Sequence, residues 1–480
     1  MTGRTAQILG LVLLGAATRM PPAHAAPARE WDAGFFYSRL EDADGNLRTR
    51  LLGPFFEWTT SPQGAKFKAA RPLVSFFSAP DDQRGGLEVI WPIATSYRFQ
   101  KERRSRLLLT YYTDFDVTNP AARYRFQVLP LYFQGRDIHG RFYAAVFPLG
   151  GRIHEFIGRD EIVFALFPLY AYSRVNEVET RDVLWPIYSR SEGKGISRFR
   201  VFPFYGYARH RAKFEKGFVA WPFYTWARYS YPDAQGRGYI VFPLWGHLMM
   251  PDQEAWLLIP PFFRFSRGER INYSYCPWPF FQISSGEIER FYLWPLWGQR
   301  TMRGLTSTYF LWPIFRSENA DRSHSLYRSI YALPFYISQV ETPRAPNARP
   351  TKVYRKVWPF FSYRREGEVH AFRMLDLWPA KNAPPVERNW APLWTLFSRA
   401  GTGDRTDTEL GWGLARQRRR GLERCQVSVF PLWQWERDDR RGPSRSWSVL
   451  HGLLGRRRDA AGVSWTLLYA VHWKTRETPP

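Results

Sequence analysis

The sequence predicts an all-β protein: an antiparallel up-and-down meander of about 22–24 strands, built from repeats of roughly 18–20 residues and closed as a large barrel. Three observations carry that expectation. A Trp-Pro or Phe-Pro string recurs at near-constant spacing, polar Gly-containing turns separate its copies, and side-chain character alternates along each copy. The alternative is an open or stacked β-repeat, solenoid- or propeller-like. A proline in the middle of a strand removes a ladder hydrogen bond, and it can equally mark a corner where the chain passes between sheets.

The chain begins with Arg4, an apolar run "AQILGLVLLGAAT" and "AHA" at Ala23 to Ala25. A positive segment, an apolar segment and a small-x-small site in that order read as a secretory signal peptide, residues 1–25, cleaved after Ala25. The apolar run, about 13 residues, is too short for the roughly 20 that a spanning helix needs. Residues 26–480 then form a single repetitive β domain.

The repeat is centred on Pro92, Pro130, Pro148, Pro168, Pro186, Pro203, Pro222, Pro243, Pro279, Pro295, Pro313, Pro334, Pro359 and Pro431. Between Pro92 and Pro130 one copy lacks the proline, and "LLLTYYTDFD" fills the gap. Later copies degenerate into "LWPAKN", "APLWTLFSR" and "LGWGLARQ". Each unit reads as one strand of about ten residues with the proline at its middle, because aromatic and β-branched residues dominate it. Turns such as "RSEGKG" and "PDAQGRG" are too short for a parallel crossover, so neighbouring strands run antiparallel. A proline in nearly every unit, with turn residues between units, excludes a helical reading. Beyond about residue 340 the connections lengthen through the Pro-rich stretches 340–352 and 380–387.

Alternate residues of a strand face opposite sides. In "RFRVFPFYGYAR" (198–209), Phe199, Val201, Pro203, Tyr205 and Tyr207 share one face, and Arg198, Arg200, Phe202, Phe204, Gly206 and Ala208 the other. The last unit sorts more sharply, with Val463, Trp465, Leu467, Tyr469, Val471 and Trp473 against Ser464, Thr466, Leu468, Ala470 and His472.

With its export signal, its meander, its aromatic faces and a last strand carrying Trp473, the chain resembles large Gram-negative outer-membrane β-barrel proteins. The resemblance implies an outer-membrane location, a structural or transport role without catalysis, and contact with outer-membrane lipid or lipopolysaccharide. The chain departs from that family's pattern in its mid-unit proline and in the "KTRETPP" that follows the last strand. A soluble periplasmic or cell-surface β-repeat binding an anionic glycan or a protein partner is the alternative.

Composition narrows the partners. Aromatic residues make up 18% of the chain, a content that disordered chains lack. The net charge of +25 favours polyanions. Export removes nucleic acid from these, which leaves lipid phosphate, lipopolysaccharide or an anionic polysaccharide. The anion-binding candidates are Arg103, Arg104, Arg418, Arg419, Arg420, Arg440, Arg441, Arg456 and Arg457, which fall between the units and so in loops or at strand ends. Cys276 and Cys425 permit one disulfide at most and exclude a Cys-rich zinc module. Nine scattered His offer no H-x-x-x-H pair, and no metal or cofactor is expected. "DADGN" (42–46) reads as a hairpin turn because it lacks the closing Glu of a calcium loop. Asp114 and Asp116 read as a polar strand end, and the chain contains no nucleophile elbow, P-loop or dinucleotide fingerprint. The sequence leaves the oligomeric state open.

Overall fold

The computed structural model describes residues 30–475 apart from 212, 233, 441 and 461. The signal segment 1–25 lies outside the described residues. The chain forms one antiparallel sheet of 46 strands, β1 to β46, in which each strand pairs with its neighbours in sequence.

Each repeat is a hairpin of two short strands, where the sequence reads a single strand of about ten residues. The repeat period therefore stands and the strand count doubles. In "RFRVFPFYGYAR", β19 (Ile196–Val201) turns directly into β20 (Tyr205–His210), and Pro203 lies in the turn between them. The hydrogen bonds show why a proline fits there. In Leu184-Trp185-Pro186-Ile187 the Ile187 N–H donates to the Leu184 carbonyl at 2.8 Å. The Leu184 and Trp185 N–H groups donate to the Leu169 and Pro168 carbonyls of the preceding turn, both at 2.8 Å. Every N–H of the turn is used, and proline contributes none that would be orphaned. Pro203 is thus neither a bulge in a membrane strand nor a corner between sheets. The peptide bond before each of the fourteen repeat prolines is cis.

All the proline turns lie along one edge of the sheet and the polar turns along the other. Polar turns are two-residue hairpins where the sequence permits left-handed backbone. Asn176 (φ 46) and Glu177 (φ 69) join β16 (Tyr170–Val175) to β17 (Val178–Val183), and Lys194 with Gly195 repeats the geometry. Two central residues with positive φ match the twist of the flanking strands. A hairpin turn also preserves face, so the alternation read from the sequence survives: Phe199 faces Tyr207 and Val201 faces Tyr205, while Arg198 faces Ala208 and Arg200 faces Gly206.

Hydrogen bonds do not close the sheet. Among the described residues β1 (Trp31–Ala33) pairs only with β2 (Tyr37–Glu41), and β46 (Val471–Thr475) only with β45 (Gly462–Leu467). The arrangement is that of the open alternative. The sheet nonetheless rolls until its polar face meets itself. Arg50 of β3 (Leu47–Leu51) ion-pairs with Glu409 of β39 (Arg405–Leu410), and Asp32 of β1 with Arg416 of β40 (Ala415–Arg420).

The only described α-helices interrupt the meander where the sequence suggests degenerate repeats and a Pro-rich loop. Pro384 and Pro385 open α1 (Pro384–Asn389), a place where a missing N–H costs nothing, and α2 (Ala391–Trp394) follows. Of "APLWTLFSR" only Phe397 onward is strand, at the start of β38 (Phe397–Thr402). The insert ties to the N-terminal strands. Arg388 and Asn389 both hydrogen-bond Glu88, and the Trp390 indole N–H donates to the Trp91 carbonyl at 3.0 Å. Lys356 and Asp376, fully buried, lie 3.0 Å apart beside it.

Candidate functional site: an apolar edge and a cationic trough

Two features of this sheet carry chemistry. The first is the proline edge. On the outer face, the row of side chains nearest the proline turns runs Val183, Tyr188, Val201, Tyr205, Val219, Tyr224 across six adjacent strands. The register carries the same row back to Leu51 and Phe56 and forward to Leu467 and Val471. Thr110 aside, every paired side chain in it is apolar or aromatic. Below the row, the residues flanking each proline project from the turns, with Trp221 half exposed (50%) and Phe223 and Leu244 more so. On the inner side of the same edge the aromatics that precede the prolines stack in a ladder: Phe167 on Trp185 (5.8 Å), Phe202 on Trp221 (5.4 Å), Trp294 on Trp312 (6.1 Å). An apolar surface this extensive, left open to solvent, marks an interaction site.

The apolar character fades with height above the turns. A second outer row mixes aromatics with polar groups (Phe199, Tyr207, Trp226, Tyr239, His247), and a third is charged (Arg209, Glu215, Arg228, Arg237). At about 3.3 Å per residue the band between turn tips and charged row is about 15 Å high. That is half of a hydrocarbon core about 30 Å thick, and strands of six residues fall short of the roughly 9–11 that cross one.

The second feature is the inner, polar face. Where the sheet meets itself, at β1–β3 against β39, β40 and β41 (Arg424–Val429), it forms an ionic seam. Glu57 sits 2.8 Å from Arg48 and 3.0 Å from Arg71, with Arg50 at 4.0 Å. Arg418 reaches Glu30 at 2.6 Å, and Arg424 reaches it at 2.9 Å. Burial pushes the Glu409 carboxyl up, but Arg50 and Arg416 outweigh it and hold its pKa at about 2. Glu30 is held at about 2 in the same way by Arg418 and Arg424, and Glu57 is lowered further by Arg48, Arg71 and Arg50.

Away from the seam the inner face opens into a trough of about 1510 Å³, lined by β15 (Arg159–Ala165) through β24 (Trp245–Met250). Six of its lining residues are Lys or Arg, and Asp182 is the one acid.

The arginines singled out from the sequence are dispersed. Arg103 and Arg104 lie within β9 (Glu102–Leu107), Arg418, Arg419 and Arg420 within β40, and Arg456 and Arg457 within β44 (Leu454–Asp459), so these are strand rather than loop residues. Most are engaged internally. Arg418 is buried on Glu30, Arg420 pairs with Asp407 at 2.7 Å, Arg104 with Glu102 at 2.6 Å and Arg440 with Asp438 at 2.6 Å. Arg456 lies over the Trp465 ring, Arg457 is 3.9 Å from Asp459, and Arg441 lies outside the described residues. Cys276 and Cys425 are free thiols. "DADGN" closes a tight turn, its Asp42 carboxylate accepting the Asp44 and Asn46 N–H groups. Asp114 ends a strand and accepts the Asp116 N–H. Among the described residues no group of three His, Cys, Asp or Glu is placed to hold a metal.

Sequence reasoning missed the trough cations as a group. Arg198 and Arg200 read as polar strand ends, and Lys216 belongs to the next unit. The signal was their shared face, which becomes a shared site only once each unit is folded as a hairpin. No protein-family model matches the chain, and comparison with curated proteins finds no similar sequence.

Proposed function

We propose that the protein is an exported, non-enzymatic outer-membrane protein that seats the proline edge of its rolled sheet in a lipid leaflet, with a structural or transport role. The observation that carries this reading is the apolar row, interrupted at Thr110, above a rim of exposed Trp, Phe, Leu and Ile. The turn-to-turn hydrogen bonds support it, because hydrocarbon tolerates only backbone whose donors are already satisfied. Strands of mostly five to eight residues, shorter than the roughly 9–11 that cross a bilayer, favour edgewise insertion over a spanning barrel. Arg103, Arg104 and Arg457, exposed toward the polar edge, stand above the apolar band where lipid or lipopolysaccharide phosphates would meet them. The soluble β-repeat reading draws on one observation, the absence among the described residues of a backbone ladder closing the sheet.

One experiment separates the two. The mature chain is mixed with vesicles of phosphatidylethanolamine and phosphatidylglycerol and floated through a sucrose gradient in high salt. Recovery with the vesicles is expected, since apolar insertion withstands salt that screens surface charge. A protein that stays at the bottom of the gradient, soluble without detergent, overturns the membrane reading.

A further inference from the structure

We propose that the inner-face trough is a binding site for a phosphate-bearing amphiphile, its phosphate on Arg198, Arg200 and Lys216 and its acyl chains directed to the proline edge. The inference rests on the membrane reading above and adds to it a ligand site on the opposite face of the sheet.

The geometry follows from register. Arg198 and Arg200 are two residues apart on β19 and share a face, about 6.6 Å apart along the strand. Arg198 faces Ala208, and Ala208 faces Lys216 of β21 (Phe214–Val219), so the lysine stands two strands away, at about 9.6 Å. The three cations bracket a space the size of a phosphate, and the floor between them is small, Gly206 and Ala208 in β20, and stays small beyond Lys216 at Ala227 and Gly238. At Gly206 a Cβ would come within 2.5 Å of the Phe218 ring, so that position stays without a side chain.

The charges there are unbalanced. Along the seam every arginine named has a carboxylate, whereas among the described residues none lies within 4.0 Å of Arg198, Arg200 or Lys216, and the Arg200 Nε is buried without a hydrogen-bond partner. A guanidinium pair left this way is a strong receptor for a phosphate oxyanion. Polar groups that would accompany a headgroup are also in place, with Ser189 opposite Arg200 and Ser191 opposite Arg198.

What distinguishes an amphiphile from a free anion is the far end of the trough. Its lining passes from these cations to Phe218, Trp185 and Trp221, the last two in the aromatic ladder of the proline edge. The cations stand about 7–13 Å above that edge, counting two and four residues of strand. That height falls within the 15 Å of the outer apolar band, so a phosphate held there sits in the trough, below the level of the leaflet's own headgroups, with its acyl chains nearest the edge.

The site is tested by titrating the detergent-solubilised full-length protein with dioctanoyl phosphatidylglycerol, and separately with dioctanoylglycerol and inorganic phosphate. Saturable binding is expected for the phospholipid alone. The triple variant Arg198→Gln, Arg200→Gln, Lys216→Gln is expected to weaken it at least about tenfold. Ala208→Trp, which fills the floor without touching charge, should do the same, and Arg419→Gln should leave affinity unchanged. Wild-type affinity in either trough variant overturns the site, as does equal loss in Arg419→Gln. Inorganic phosphate or dioctanoylglycerol binding as tightly as the phospholipid overturns the amphiphile. Vesicle flotation of the same variants is expected to persist, so failure of the site is distinguishable from failure of the membrane reading.

Discussion

Glu57→Gln is expected to lower the stability of the rolled sheet by about 3–5 kcal/mol, the usual cost of removing one partner from a buried ion cluster. Glu57 is the carboxylate on which Arg48, Arg50 and Arg71 converge, and the Arg71 side chain is only 2% exposed. Glutamine keeps the size but leaves three guanidinium groups facing one another. The loss is read from the urea midpoint, and from faster protease cleavage within residues 30–90 as the N-terminal strands detach from β39 and β40. A change under about 1 kcal/mol would place the seam among the weak surface pairs.

Acid tests the same seam through its native groups. Glu30 and Glu409 have folded pKa values lowered to about 2 from 4.5. A depressed carboxylate contributes stability that is fully present above the unfolded pKa and is lost as pH falls through the folded one. The seam is therefore expected to be intact at neutral pH and to open between about pH 4.5 and pH 2.

The second large effect concerns the edge. The combined substitutions Trp221→Asp, Phe223→Asp and Leu244→Asp, in two consecutive proline turns, are expected to abolish vesicle flotation, since a carboxylate deep in hydrocarbon costs about 2.5–3.5 kcal/mol. Arg303→Asp, in a turn of the opposite edge, is expected to float like the wild type. Equal flotation by all of them would remove the proline edge from lipid contact.

The sheet, its meander and its period were legible in the sequence because aromatic-rich units and polar turns repeat along the whole chain. Face assignment was legible too, since a tight hairpin keeps the parity of alternation through the turn: Trp465 and Trp473 share a face as their spacing implies. The second turn in each unit was not. A Trp-Pro pair flanked by Leu, Ile and Phe has none of the Gly, Asn or Asp that announces a turn, and its apolar residues read as strand centre. That misreading doubled the strand length and made a spanning barrel look natural.

The seam was hidden for a different reason. Asp32 and Arg416 meet only because the sheet curls through dozens of strands, and nothing local in either segment encodes that contact. The charged strings at 101–106 and 416–424 read as loops or strand ends, yet a strand that buries one face against an acidic partner is just as rich in arginine. Arg416 and Arg418 are buried on that face, whereas Arg419, on the opposite face, is exposed.

Insertion of the proline edge into a single leaflet is tested most directly by thiol labelling from both sides of a vesicle. In a Cys276→Ser, Cys425→Ser background, Phe223→Cys marks a proline turn and Arg303→Cys a polar turn. Protein reconstituted in vesicles is exposed to a membrane-impermeant maleimide, added outside in one sample and trapped inside in another. Labelling of Arg303→Cys in intact vesicles is expected, with Phe223→Cys protected from both sides until detergent is added. Labelling of Phe223→Cys from the side opposite to Arg303→Cys would make the strands spanning, and labelling from the same side would leave the edge in water; either result contradicts insertion into one leaflet.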